Sequence, residues 1–159
     1  ALLARQLAIA PASIDAMILG EHGDTSFAAL SIATVGGTPI ARFAADAGPI
    51  APESLNQQVR QAAYRIIEGK GHTSFGIGTA IVRICEAIVR NEHVILPVSA
   101  HLTGQFGIDN LYLSLPCILG AGGVERVLTP DLDGAEIAAF RQSAAAVGAV
   151  LKTVGTGSK

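Results

Sequence analysis

Residues 19–27, LGEHGDTSF, place the chain's most titratable type of side chain in a short polar stretch behind the apolar run AMIL. His22 stands between Glu21 and Asp24 and is flanked by Gly20 and Gly23. An unperturbed pKa of about 6.5 lets a histidine give or take a proton near neutral pH. Glycines on either side permit a tight turn or a close approach of ligand to backbone. The local pattern leaves three readings open: a proton shuttle, a metal ligand, or a solvated loop histidine. The metal reading lacks company. His72, His93 and His101 offer no HxH, HxxxH or HExxH spacing, so no metal site is expected.

Thr73 and Ile77 are four residues apart and share a helix face if a helix starts near KGHTS. A hydroxyl beside an apolar side chain suits a small polar ligand next to a planar ring. The plainer roles are a helix N-cap for Thr73 and ordinary core for Ile77. Ser99 and His101 fall on one face of a strand with no acid nearby, which gives little support to nucleophilic catalysis. Cys85 lies in an apolar helical pattern and is expected to be buried rather than reactive. Cys85 and Cys117 are too distant for a CxxC motif and read as buried thiols of a reducing compartment, so the expected location is cytoplasmic.

The elements that must position these residues follow from periodicity. Residues 1–9 read as the end of a helix stopped before Pro11. IDAMILG and FAALSIATV read as strands, with GGTP as the turn into IARF, an antiparallel meander. Leu55, Val59, Ala62, Ala63, Ile66 and Ile67 fall at helical spacing, as do Ile77, Ala80, Ile81, Ile84 and Ile88. The break between them is at EGKGHTS. HVILPVSAHLTG, LYLSLPCILG and GVERVL read as three further strands. Asp133 is placed to cap a last helix, with Glu136 as its reciprocal partner. Ile137, Phe140, Ala144, Val147 and Leu151 form that helix's buried stripe. The order is α+β, antiparallel strands packed with long helices, in one domain spanning 1–159. A dinucleotide-binding fold is not written here, because GKGHTS and GIGTAI each supply only the first two glycines of GxGxxG.

Composition narrows the function classes. Of 159 residues only 15% are charged and half are hydrophobic, so much surface is hidden within the fold or against partners. A net charge of −2 with scattered Lys and Arg gives no electrostatic case for nucleic acid. No stretch reaches about 18 unbroken apolar residues, so no membrane span is expected. No basic start followed by an apolar core marks a signal peptide.

GEHGD, KGHTSFGIG, LPVSAHLTGQFGI and LSLPCILGAGGVERVL, in this order, resemble L-lactate dehydrogenase of the lactate/malate dehydrogenase superfamily. The resemblance covers essentially the whole chain and is to the C-terminal, substrate-binding domain. It implies an oxidoreductase that interconverts pyruvate and L-lactate with NAD as cofactor. It further implies that His22 is the catalytic proton donor and acceptor, that Thr73 contacts substrate, and that Ile77 packs on the nicotinamide. The family's Asp partner of the histidine and its carboxylate-gripping Arg belong to a DSARFR-type segment expected just before Ala1. The NAD-binding domain is expected upstream of that, so these residues alone are expected to be inactive. A homotetramer is also implied.

Malate dehydrogenase is the alternative within the superfamily; Glu21 and Thr73 resemble the lactate branch. A non-catalytic interaction module is the alternative from another class. In many bacterial enzymes of this type a His seven residues before the catalytic one helps hold fructose 1,6-bisphosphate. Here that position is Asp15, whose charge would repel a phosphate.

Overall fold

The computed structural model describes residues 1–45, 48, 50–72 and 74–155. Thr73 lies outside the described residues.

The longest strands build one antiparallel sheet with β7 (Asp109–Gly120) at its centre, flanked by β6 (Val94–Thr103) and β8 (Gly123–Val127). These are the three strands expected from the sequence, and they pair with Val98 opposite Leu115 and Ser99 opposite Ser114. Alternation decides which face is dry. Ala100 and Leu102 are buried, whereas Ile95, Pro97, Ser99 and His101 are exposed. The partner residues Leu113, Leu115, Cys117 and Leu119 lie on the same dry face. Each such fully buried leucine contributes about 1.5–3 kcal/mol relative to exposure.

Two helices cover that face. Ala87 and Ile84 of α4 (Phe75–Val89) pack on Ala100, Cys117 and Leu119. Phe140 and Ala144 of α5 (Gly134–Gly155) pack with Leu102, Leu111, Leu113 and Leu115. Phe140 is the hub of this second cluster, with ring edges toward Phe27 at 6.5 Å and Phe106 at 5.1 Å between centroids. The expected capping box opens α5: Glu136 N–H donates to Asp133 Oδ1 at 2.8 Å, and Asp133 N–H donates to Glu136 Oε2 at 3.3 Å.

The N-terminal third is more broken than its apolar runs imply. Its helix, α1 (Leu2–Gln6), is a single short turn and a half. IDAMILG splits into β1 (Ile14–Asp15) and β2 (Ile18–Leu19), which join different sheets. FAALSIATV splits likewise into β3 (Phe27–Ala28), paired with β2, and β4 (Thr34–Val35), paired with β1. The cause of the second split is Ser31. Its N–H donates to Glu136 Oε1 at 3.0 Å and its hydroxyl to Glu136 Oε2, so the chain leaves the ladder to dock on the start of α5.

IARF is not a strand. The two-residue turn Gly36–Gly37 pairs β4 with β5 (Thr38–Pro39), and Pro39 has no N–H to extend the ladder. The chain turns into α2 (Ile40–Phe43), which buries Ile40 alone and leaves Ala41, Arg42 and Phe43 exposed.

The two long helices form where periodicity puts them. α3 (Pro52–Lys70) ends on Gly71, whose left-handed φ of 81° lets its N–H reach Ile67 O at 2.7 Å. Burial departs from expectation along both helices. Leu55 is buried, but Ile66 and Ile67 of α3 and Ile77 and Ile81 of α4 are exposed. Leu151 of α5 is exposed as well. Cys117 is buried as expected; Cys85 is exposed, one step round α4 from Ile84 and two from Ala87, which meet the sheet. Both thiols are free.

Candidate active site

The loop after β2 is held from three directions. Gly20 exchanges two backbone hydrogen bonds with Ser114 of β7, at 3.3 and 3.0 Å. Glu21 N–H donates to Ser143 Oγ of α5 at 2.6 Å. From the third side, α3 presents Asn56, Arg60 and Tyr64, which share one face because they are four residues apart. Asn56 Oδ1 accepts from Ala28 N–H at 2.8 Å, Arg60 donates to Ser26 O at 3.4 Å, and the Tyr64 hydroxyl donates to Asp24 Oδ1 at 3.4 Å.

The loop also closes on itself. Glu21 Oε1 accepts from both the N–H and the hydroxyl of Thr25, at 3.1 and 2.6 Å. Ser26 returns to Gly23 O through its N–H and its hydroxyl, at 3.2 and 2.8 Å. Its two carboxylates, Glu21 and Asp24, are therefore engaged. His22 is exposed, and among the described residues no hydrogen bond or ion pair engages its ring. A fixed backbone carrying an uncommitted imidazole suits proton transfer to a bound molecule.

The helix break lies on the same support. Tyr64 is seven residues before Gly71, about 10 Å along the α3 axis. Ile77 sits in the first turn of α4 with half its surface exposed. A Cβ added at its neighbours Gly76 or Gly78 would meet nothing within 4 Å. Ile77 is therefore not part of a core among the described residues. Thr73, in the break itself, is outside the described residues.

The other candidates are plain. His101 Nε2 lies 3.3 Å from Asn110 Oδ1, and Ser99 shares its exposed face. Burial pushes the Cys117 thiol up, which keeps it protonated and inert.

Sequence reasoning missed Asn56, Arg60, Tyr64 and Ser143. The first three were visible as a polar stripe beside Leu55, Val59 and Ala62, but a stripe does not name what it touches. Ser143 carried a clearer signal: a hydroxyl inside the apolar stripe of Phe140, Ala144 and Val147.

Known proteins align with this geometry. Residues 1–156 match the family described as lactate/malate dehydrogenase, alpha/beta C-terminal domain. The L-lactate dehydrogenase of Pediococcus acidilactici is 39% identical over 151 residues, covering 94% of this chain and 47% of that protein. That of Treponema denticola is 43% identical over 147 residues, covering 89% of this chain and 47% of that protein. The ligand-bound crystal structure of minor L-lactate dehydrogenase from Enterococcus mundtii superposes with a TM-score of 0.90 at 39% identity, over 96% of this chain and 49% of that one. The chain thus spans about half the length of the relatives it matches. It belongs to the lactate/malate dehydrogenase family and corresponds to that family's α/β C-terminal domain.

Proposed function

We propose that this chain is the substrate-binding domain of an NAD-dependent L-lactate dehydrogenase, with His22 as its acid–base group. The observation that carries the reading is the pinned GEHGDT loop with its imidazole left uncommitted. In pyruvate reduction, protonated His22 donates a hydrogen bond to the substrate carbonyl oxygen. It gives up that proton as the carbonyl carbon is reduced, leaving lactate and neutral imidazole. In reverse, neutral His22 takes the lactate hydroxyl proton. Bound NADH supplies the hydride, and Ile77 would receive the nicotinamide ring. Thr73 is the substrate-contacting residue that the family resemblance implies.

In this reading the dinucleotide-binding domain, the Asp partner of His22 and the carboxylate-binding Arg come from the preceding part of the parent protein. The exposed apolar residues Ile66, Ile67, Ile81 and Val82 of α3 and α4 fit burial against that part or against other subunits of a homotetramer. Among the described residues no helix is long and apolar enough to cross a membrane. A cytoplasmic enzyme accords with two free cysteines.

The test is NADH oxidation by the full-length protein with pyruvate and with oxaloacetate. Lactate dehydrogenase activity predicts a kcat/KM at least about tenfold higher for pyruvate. The reverse preference makes it a malate dehydrogenase. Turnover of neither substrate refutes the enzyme reading.

A further inference from the structure

We infer that Ser143 of α5 is a positioning residue for His22, its buried hydroxyl holding the backbone of the histidine's loop. The inference rests on the reading of His22 as the acid–base group.

Ser143 is fully buried, in the stripe that packs Phe140 and Ala144 against the sheet. Alanine would serve packing there equally well, and a buried hydroxyl is unfavourable unless it is hydrogen-bonded. Its two partners both lie in the His22 loop. Ser143 Oγ accepts from Glu21 N–H at 2.6 Å and lies 3.1 Å from Thr25 Oγ1. Thr25 has one hydroxyl proton and a second acceptor in reach, Glu21 Oε1 at 2.6 Å. The shorter bond to the carboxylate takes that proton. Ser143 then donates its own proton to Thr25 Oγ1 while it accepts from Glu21, and every proton is placed once.

This contact requires a glycine in the preceding position. A Cβ on Gly20 would lie 2.6 Å from Ser143 Oγ and 3.1 Å from its Cβ. Gly20 is held to β7 through Ser114, and Glu21 is held to α5 through Ser143. His22 follows directly, so two elements of the core set the direction in which its side chain leaves the loop. Without the Ser143 hydroxyl the Glu21 peptide loses its acceptor, and the histidine spends less time in its productive place.

The experiment compares the full-length wild-type protein with Ser143→Ala and Ser143→Cys. Amide hydrogen exchange of residues 20–25 is measured beside steady-state pyruvate reduction. Ser143→Ala should speed loop exchange about tenfold, with α5 and β7 peptides unchanged. Its kcat should fall about tenfold while the KM for NADH stays within about twofold. Ser143→Cys, a poorer acceptor of similar size, should fall between the two in both readouts. Unchanged loop exchange, equal loss of protection throughout α5, or a wild-type kcat in Ser143→Ala would overturn the inference. If the wild type does not reduce pyruvate, the lactate dehydrogenase reading fails instead. Loop exchange then decides by itself whether Ser143 is the anchor.

Discussion

Glu21 Oε1 accepts two hydrogen bonds from Thr25, from its N–H at 3.1 Å and its hydroxyl at 2.6 Å. The acid beside the histidine in GEHGD is thus a staple within the loop and is not the partner of the imidazole. Thr25→Val keeps the shape but removes both a donor to the carboxylate and the acceptor of the Ser143 hydroxyl. A hydrogen bond to a charged group is worth about 1.5–3 kcal/mol, and Thr25 is only half-buried, so a loss of about 1–2 kcal/mol is expected. Denaturant unfolding of the parent protein measures it; an unchanged midpoint would remove the staple from the account.

Gly20 has φ +93°, and a side chain there would meet Ser143 as well. Gly20→Ala should cost about 1–3 kcal/mol from backbone strain alone, with the close contact adding to it. Thermal unfolding checks this. A variant as stable as wild type would mean that the loop relaxes freely at this point.

The start of α5 offers a separable test. Asp133→Ala removes one half of the capping box and should destabilise by about 1 kcal/mol. Glu136→Ala should cost more, because Glu136 also accepts from Ser31 N–H at 3.0 Å and from the Ser31 hydroxyl. Equal losses would show that the Ser31 link contributes nothing.

These residues also mark what was legible in the sequence. The apolar runs in 94–103 and 109–120 and the helical spacing in 52–89 were sufficient for the sheet and the long helices, since both signals are local. Asp133 and Glu136 were legible because a capping box is local. The break of FAALSIATV was not, because it depends on Glu136, 105 residues from Ser31. Cys85 and Leu151 turned out exposed because an apolar run on a helix does not say which of its residues face a neighbouring element. His22 stood out by residue type and spacing. Its anchors at Ser114, Ser143 and Tyr64 did not, since contacts between distant segments leave no spacing to read.

Asp15 is exposed on β1. If the parent is a lactate dehydrogenase, a carboxylate there repels a phosphate, so millimolar fructose 1,6-bisphosphate should leave the pyruvate saturation curve nearly unchanged. A large drop in apparent KM would show that Asp15 does not exclude the effector. Asp15→His should then strengthen the response.

In the proposed reaction His22 is the group that moves the proton. His22→Asn keeps a polar side chain of similar reach but cannot act as an acid near neutral pH. In the full-length protein, with the chemical step made rate-limiting and verified by a deuterium effect from labelled NADH, kcat for pyruvate reduction should fall by about 10² or more. Turnover close to wild type under that condition would contradict the account.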